Sequence, residues 1–176
     1  MLEPGTVDAS DTTGPCPDIS IIVPTFRERE NIAPLIERLR ATLAGVSWEV
    51  IFVDDNSPDR TAEIVRALAA TKPNVRCIQR FGRRGLSSAV IEGIASSSAP
   101  FVAVIDADMQ HDETLLSRML RLMSGHELDL VVGSRYVSGG SISDWSASRR
   151  AMSKFATKLS HLIMQFDLTE IGRAHV

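Results

Sequence analysis

Five short apolar runs punctuate this chain, and a segment with helical spacing separates each from the next. The runs are ISIIVP (residues 19–24), WEVIFVDD (48–55), NVRCIQ (74–79), FVAVID (101–106) and LDLVVGS (128–134). Each reads as a buried strand. Between the first two, residues 31–45 carry apolar side chains at 32, 35, 36, 39 and 43, which predicts a helix, and Gly45 suits its C-terminal stop. Residues 61–70 predict a second helix, with Asp59 or Thr61 able to cap it. Residues 86–97 and 114–123 predict two more. Strands separated by helices of this length imply parallel βαβ units with right-handed crossovers. The expected fold class is therefore α/β: a mostly parallel sheet flanked by helices.

The 176 residues suffice for one domain with a sizeable core, and 44% apolar with 23% charged residues is an ordinary globular balance. A net charge of -3 gives no global basic field and no compositional case for nucleic acid. Cys16 and Cys77 form no CxxC pair, which implies neither a disulfide framework nor a zinc site and suits a reducing compartment. Residues 1–18, rich in Gly, Pro, Thr and Asp, read as a disordered leader with no signal-peptide pattern. No run of about 18 apolar residues is present to make a spanning helix.

In open parallel sheets, ligands bind beyond the carboxyl ends of the strands. That rule selects residues 25–28, 54–55, 106–110 and 134–136. The plain alternative is that strand ends carry turn-forming Asp and Ser; for the pair Asp54 and Asp55, the nucleotide role is favoured only for Asp55. The sharpest feature is FVAVIDADMQH, where Asp106 and Asp108 follow an apolar run directly. Two carboxylates so close are costly unless something positive sits beside them. The first strand is followed by PTFRERE, with no glycine, so a GxGxxG dinucleotide site is excluded; a GxxxxGK[ST] loop is absent as well. GRRGLSSA (residues 82–89) fits neither pattern, and a receiver-like domain has no use for Asp-x-Asp. What remains is a fold that holds a diphosphate through a metal, because Mg²⁺ bridges one or two carboxylates to substrate phosphates. Gln110 adds a neutral oxygen nearby.

IIVPTFRERENI, FVDDNSPDRT, GLSSA, DADMQH and GSRYVSGG occur in this order and spacing. Together they resemble the catalytic domain of family 2 glycosyltransferases, more narrowly the polyprenol-phosphate (dolichol-phosphate) mannosyltransferases, over roughly residues 19–168. The resemblance implies a GT-A fold and inverting transfer of a hexose from a nucleotide sugar to a lipid phosphate, most simply mannose from GDP-mannose. By the same resemblance Pro24, Phe26, Glu28, Val53 and Asp55 hold the nucleoside. Asp106, Ala107, Asp108 and Gln110 match the diphosphate and metal site, which would take Mg²⁺ or Mn²⁺ on Asp106, Asp108 and Gln110. Arg135 matches an arginine beside the sugar diphosphate, and Arg149 and Ser153 a pair that receives the acceptor phosphate. Here Phe26-Arg27-Glu28 stands where the family has Tyr-Asn-Glu, and Gly85-Leu86-Ser87 where it has Gly-Leu-Gly.

A phosphate monoester acceptor is already largely ionised at neutral pH and needs no general base, so His111 is read as a structural or turn residue. The chemical problem is charge, which a metal at Asp108 and the arginines Arg135 and Arg149 would address. A surface arginine is the alternative for Arg135, and solvent or membrane contact for Arg149. Residues 149–166 place Met152, Phe155, Leu159, Leu162, Ile163 and Phe166 on one helical stripe with basic residues elsewhere. A membrane-surface helix and an ordinary core helix would both show it; the membrane reading is preferred because a lipid acceptor must reach Arg149. Residues 19–148 are thus expected to form the catalytic domain and 149–169 an acceptor and membrane-surface helix. The family continues after FDLT where this chain ends in EIGRAHV (residues 170–176), which matches a translated sequencing-library adapter and is expected to be a non-native tail. The expected location is the cytoplasmic face of the cell membrane. A UDP-sugar donor, or a non-catalytic nucleotide-binding fragment, are the alternatives.

Overall fold

The computed structural model describes residues 16–125 and 128–133. In chain order they form β1 (Ile19–Thr25), α1 (Ile32–Thr42), β2 (Trp48–Asp54), α2 (Thr61–Ala69), β3 (Val75–Gln79), α3 (Leu86–Ala95), β4 (Phe101–Val104) and α4 (Leu115–Gly125). The four strands make one sheet in the order β3-β2-β1-β4, and every pairing is parallel.

The apolar runs are continuous because both faces of the sheet are covered. Side chains alternate across a strand, so Ile21 and Val23 of β1 and Val50 and Phe52 of β2 point to one face. There they meet Ile32, Leu35, Ile36 and Leu39 of α1, Val65 of α2 and Leu116 of α4. Ile22, Ile51 and Val53 point to the other face and pack on Ala89 of α3. Close approach of α3 requires Gly93: a Cβ there would lie 2.3 Å from Cγ2 of Ile22.

The chain moves outward from β1 through β2 to β3, then returns to place β4 on the far side of β1. The strand order therefore reverses between β1 and β4, and a crevice opens at the carboxyl ends of such a pair. Register sets the depth of that crevice. Thr25 is level with Asp54, and Ile22 with Val104, so the segments that follow β1, β2 and β4 emerge at one end of the sheet.

The predicted strand at residues 128–134 is corrected: residues 128–133 form no strand. Asp129, Leu130 and Val131 instead line an apolar cavity beside Phe101 and Val102 of β4 and Leu116 and Met119 of α4. β-branched and apolar composition favours a strand only where a neighbouring ladder satisfies the backbone, and no such pairing joins this segment to β4. Among the described residues no helix is long and apolar enough to cross a membrane.

Candidate nucleotide and metal site

The end of β2 carries two adjacent carboxylates with different work. Asp54 is fully buried. It accepts hydrogen bonds from the Ser57 N–H at 2.9 Å, from the Ser57 hydroxyl, and from the Thr25 hydroxyl at 3.3 Å. It is the turn-forming carboxylate that ties β1 to the β2 loop, with Ser57 and Asn56 (φ 54°) completing the turn. Asp55 points the other way. Its Oδ2 accepts from the Gly85 N–H at 2.8 Å, and its Oδ1 lies 3.2 Å from Nε of Arg80.

The segment after β1 is fastened to the same loop. The Arg27 N–H donates to the Ser57 hydroxyl at 3.0 Å and the Glu28 N–H to the Thr61 hydroxyl at 3.2 Å. The Glu28 carboxylate accepts from Nδ2 of Asn31 at 2.6 Å. Arg27 sits at φ 63°, a left-handed conformation that turns the chain so that Phe26 stays at the surface, 39% exposed. The guanidinium of Arg84 stacks on the Phe26 ring, 4.7 Å from its centroid; such contacts draw on the negative face of the ring.

Beyond β4, Asp106 and Asp108 are half-buried and Gln110 is exposed. The Asp106 N–H donates to Nδ1 of His111 at 3.1 Å, and the Gln110 N–H to Oδ1 of Asp108 at 3.1 Å. Met109 takes φ 60°, unusual for a side chain of that size, while packing against the main core. The turn is thus over-determined, and it gathers three groups: one ligand atom from each of Asp106, Asp108 and His111, all within 4.8 Å of one another. Two carboxylates and an imidazole suit a divalent cation, the oxygens being hard donors.

The structure therefore brings Phe26, Glu28, Asp55, Asp106 and Asp108 to one end of the sheet. Pro24 is half-buried in β1. Val53 and Ala107 have side chains in the core, so they shape the site only through the main chain. Arg135, Arg149, Ser153 and the stripe of residues 149–166 lie outside the described residues, as do residues 1–15. Sequence reading takes His111 only as a structural or turn residue and passes over Arg80. His111 joins the carboxylates as well as closing their turn. Arg80, at the end of β3, is buried against Asp55. The strand-end rule covers β3 equally, and the arginine in QRFGRR was the signal.

Residues 20–173 match the family described as Glycosyl transferase family 2. The chain belongs to glycosyl transferase family 2. Proteins named dolichol-phosphate mannosyltransferase are similar to it: that of Pyrococcus furiosus is 38% identical over 146 residues, 83% of this chain and 41% of that protein. That of Mycosarcoma maydis is 39% identical over 156 residues, 85% of this chain and 53% of that protein. The Saccharomyces cerevisiae protein is 39% identical over 147 residues, 81% and 54% of the two chains. The chain thus spans about half the length of the curated relatives it matches. Among solved structures, the mannosyltransferase PcManGT of Pyrobaculum calidifontis, in complex with GDP-Man and Mn²⁺, superposes with a TM-score of 0.53 at 24% identity. It covers 62% of this chain and 33% of that one, and speaks to the fold. TarS 1-349 of S. aureus gives the same TM-score, 0.53, at 25% identity over 62% of this chain and 33% of that one. These likenesses agree with the parallel family 2 sheet and its helices.

Proposed function

We propose that this chain carries the donor-binding catalytic part of an inverting, metal-dependent glycosyltransferase that moves mannose from GDP-mannose to a polyprenyl phosphate. The observation that carries the reading is the placement of Phe26 and Asp55 at one side of the crevice and of the Asp106, Asp108 and His111 group at the other. That pairing of an aromatic and carboxylate pocket with a cation site suits a nucleoside diphosphate. The names of the relatives support mannose and a dolichol-type acceptor.

In this reading Phe26 gives the nucleoside an apolar face and Asp55 accepts its hydrogen bonds, with Pro24, Glu28 and Val53 shaping the pocket. Asp106, Asp108 and His111, with Gln110 beside them, would hold Mn²⁺ or Mg²⁺. The bound cation would neutralise charge on the departing diphosphate. Arg135 would steer the sugar diphosphate, and Arg149 with Ser153 the acceptor phosphate. The acceptor arrives ionised, so no side chain here is asked to take its proton. A lipid acceptor would put the reaction at a membrane surface, in this reading the cytoplasmic face of the cell membrane.

The test is transfer of label from GDP-mannose or UDP-glucose to a polyprenyl-phosphate extract, with Mn²⁺ or Mg²⁺ and after chelation. Metal-dependent labelling from GDP-mannose alone is expected. Labelling only from the UDP-sugar would replace the donor, and nucleotide binding without transfer would leave a non-catalytic fragment.

A further inference from the structure

Arg80 is the largest fully buried side chain among the described residues, 1% exposed, and no part of the proposed chemistry uses it. Burying a guanidinium is costly, and an apolar side chain of similar volume often serves stability as well or better. Its surroundings say what it is for. Its own N–H donates to the Asp54 carbonyl at 2.8 Å, so its backbone continues the β3 edge into the site. Its Nη2 donates to the Ser88 hydroxyl at 2.8 Å and its Nη1 to the Gly85 carbonyl at 3.3 Å. Its Nε lies 3.2 Å from Asp55 and 3.5 Å from Glu92.

These contacts tie the end of β2 to the start of α3 and to the loop that enters it. Residues 82–85 lead into α3, and Gly85 sits at φ 133°, which a side chain would strain. The Gly85 N–H holds the second oxygen of Asp55, and Arg84 from the same loop lies on Phe26. Phe26 and Asp55, two of the residues proposed to hold the nucleoside, therefore lean on this loop, and Arg80 sits against both the loop and Asp55. The guanidinium also adds positive charge behind Asp55.

We infer that Arg80 is a positioning residue for the nucleoside, acting through Asp55 and the 82–85 loop. The inference rests on the donor-site reading above. It separates the nucleoside end of the crevice, which Arg80 governs, from the metal end, which it does not touch.

The experiment measures binding of GDP with Mn²⁺, of pyrophosphate with Mn²⁺, and of Mn²⁺ alone by calorimetry and spin resonance, beside thermal unfolding. The full chain is compared with Arg80→Lys and Ser88→Ala. Arg80→Lys keeps the charge but loses the fork, and an affinity for GDP about tenfold weaker is expected. Ser88→Ala removes one anchor from an exposed side chain, so it folds even where the buried change does not; about threefold weakening is expected. Pyrophosphate and Mn²⁺ binding should stay as in the wild type. Equal GDP affinity in the wild type and both variants would overturn the inference alone. So would equal weakening of GDP, pyrophosphate and Mn²⁺ together with a lowered Tm, which would mark a merely structural role. A wild type that binds neither GDP nor UDP would bring down the donor reading itself.

Discussion

The main-chain N–H of Asp106 donates to Nδ1 of His111 at 3.1 Å, so the ring that closes the loop is held by the residue that opens it. In a neutral ring an accepting Nδ1 leaves the proton on Nε2, so a cation taken up at Nε2 would require that proton to move to Nδ1 and the bond from the Asp106 N–H to break. Nε2 lies 3.9 Å from Oδ2 of Asp106. The same side chain thus shapes the turn and stands beside the carboxylates that would bind the cation.

That double role gives a graded expectation for metal binding. Asp108→Asn removes a charge and a hard ligand, and should weaken Mn²⁺ binding, followed by spin resonance, by tenfold or more, at least about 1.4 kcal/mol. Gln110→Ala should do so more mildly, since a neutral oxygen contributes less. His111→Ala should fall between them. Mn²⁺ affinity unchanged in His111→Ala would confine the histidine to closing the turn.

Asp59 gives a pH-dependent expectation outside the site. Its Oδ1 accepts from the Thr61 N–H at 3.1 Å and from the Thr61 hydroxyl at 2.6 Å, and its Oδ2 from the Arg29 N–H at 3.3 Å. Burial alone would raise its pKa, but the Thr61 hydroxyl and the Arg29 and Thr61 N–H groups together outweigh it and hold the pKa below the ordinary 3.8. A carboxylate depressed on folding adds stability above its unfolded pKa, and that stability is lost as pH falls through the folded value. Asp59→Ala should cost about 1 kcal/mol near neutral pH, as for a lost helix cap. The gap in Tm between wild type and Asp59→Ala should hold from about pH 5 to 7 and narrow below about pH 4. A gap independent of pH would mean that the ionised form carries no advantage.

The order of strands and helices was legible in the sequence because each element is locally consistent: apolar runs of strand length, helix spacing between them, and turn residues at the joints. All four parallel strands and four helices lie where those patterns put them. The sequence reading failed at residues 128–133, where composition favours a strand but the ladder it needs must come from elsewhere in the chain. Asp106 and Asp108 were legible from the cost of two neighbouring charges. His111 was not, because its nearness to both depends on the left-handed turn at Met109. Arg80 was missed because its meaning lies in residues from the β2 and α3 ends that only the folded sheet brings together.

Arg149 and Ser153 stand at i and i+4, one face of the helix that the sequence predicts there. If that face receives the acceptor phosphate, Arg149→Ala should leave affinity for GDP-mannose nearly intact and cut transfer to lipid phosphate at least about tenfold, the worth of one charge-assisted hydrogen bond. Arg149→Lys should rescue only in part. Near-full rescue by lysine, with normal transfer to a short-chain acceptor in detergent, would reduce Arg149 to a surface charge.

Gly93 offers a test of how the packing of α3 reaches the site. A Cβ there would meet Ile22 Cγ2 at 2.3 Å and Val53 Cγ2 at 3.1 Å, and both are core side chains of the central strands. Alanine favours a helix over glycine by about 1 kcal/mol, but overpacking a fixed core costs about 1–3 kcal/mol. Contact at 2.3 Å places Gly93→Ala towards the upper end of that cost, so a net loss of stability is expected on denaturant unfolding. Ile22→Ala removes the Cγ2 methyl that the new Cβ would strike, and the double variant should be more stable than the sum of the single effects. Such coupling is expected between contacting residues; strict additivity would place the strain elsewhere. The displacement should also be felt by nucleotide binding. Lifting α3 from the sheet moves the Gly85 N–H and the Ser88 hydroxyl that brace Asp55 and Arg80. Gly93→Ala should therefore weaken GDP binding, and Ile22→Ala in the same chain should restore part of it. Full GDP affinity in a destabilised Gly93→Ala would show that the 82–85 loop keeps its place independently of the helix it begins.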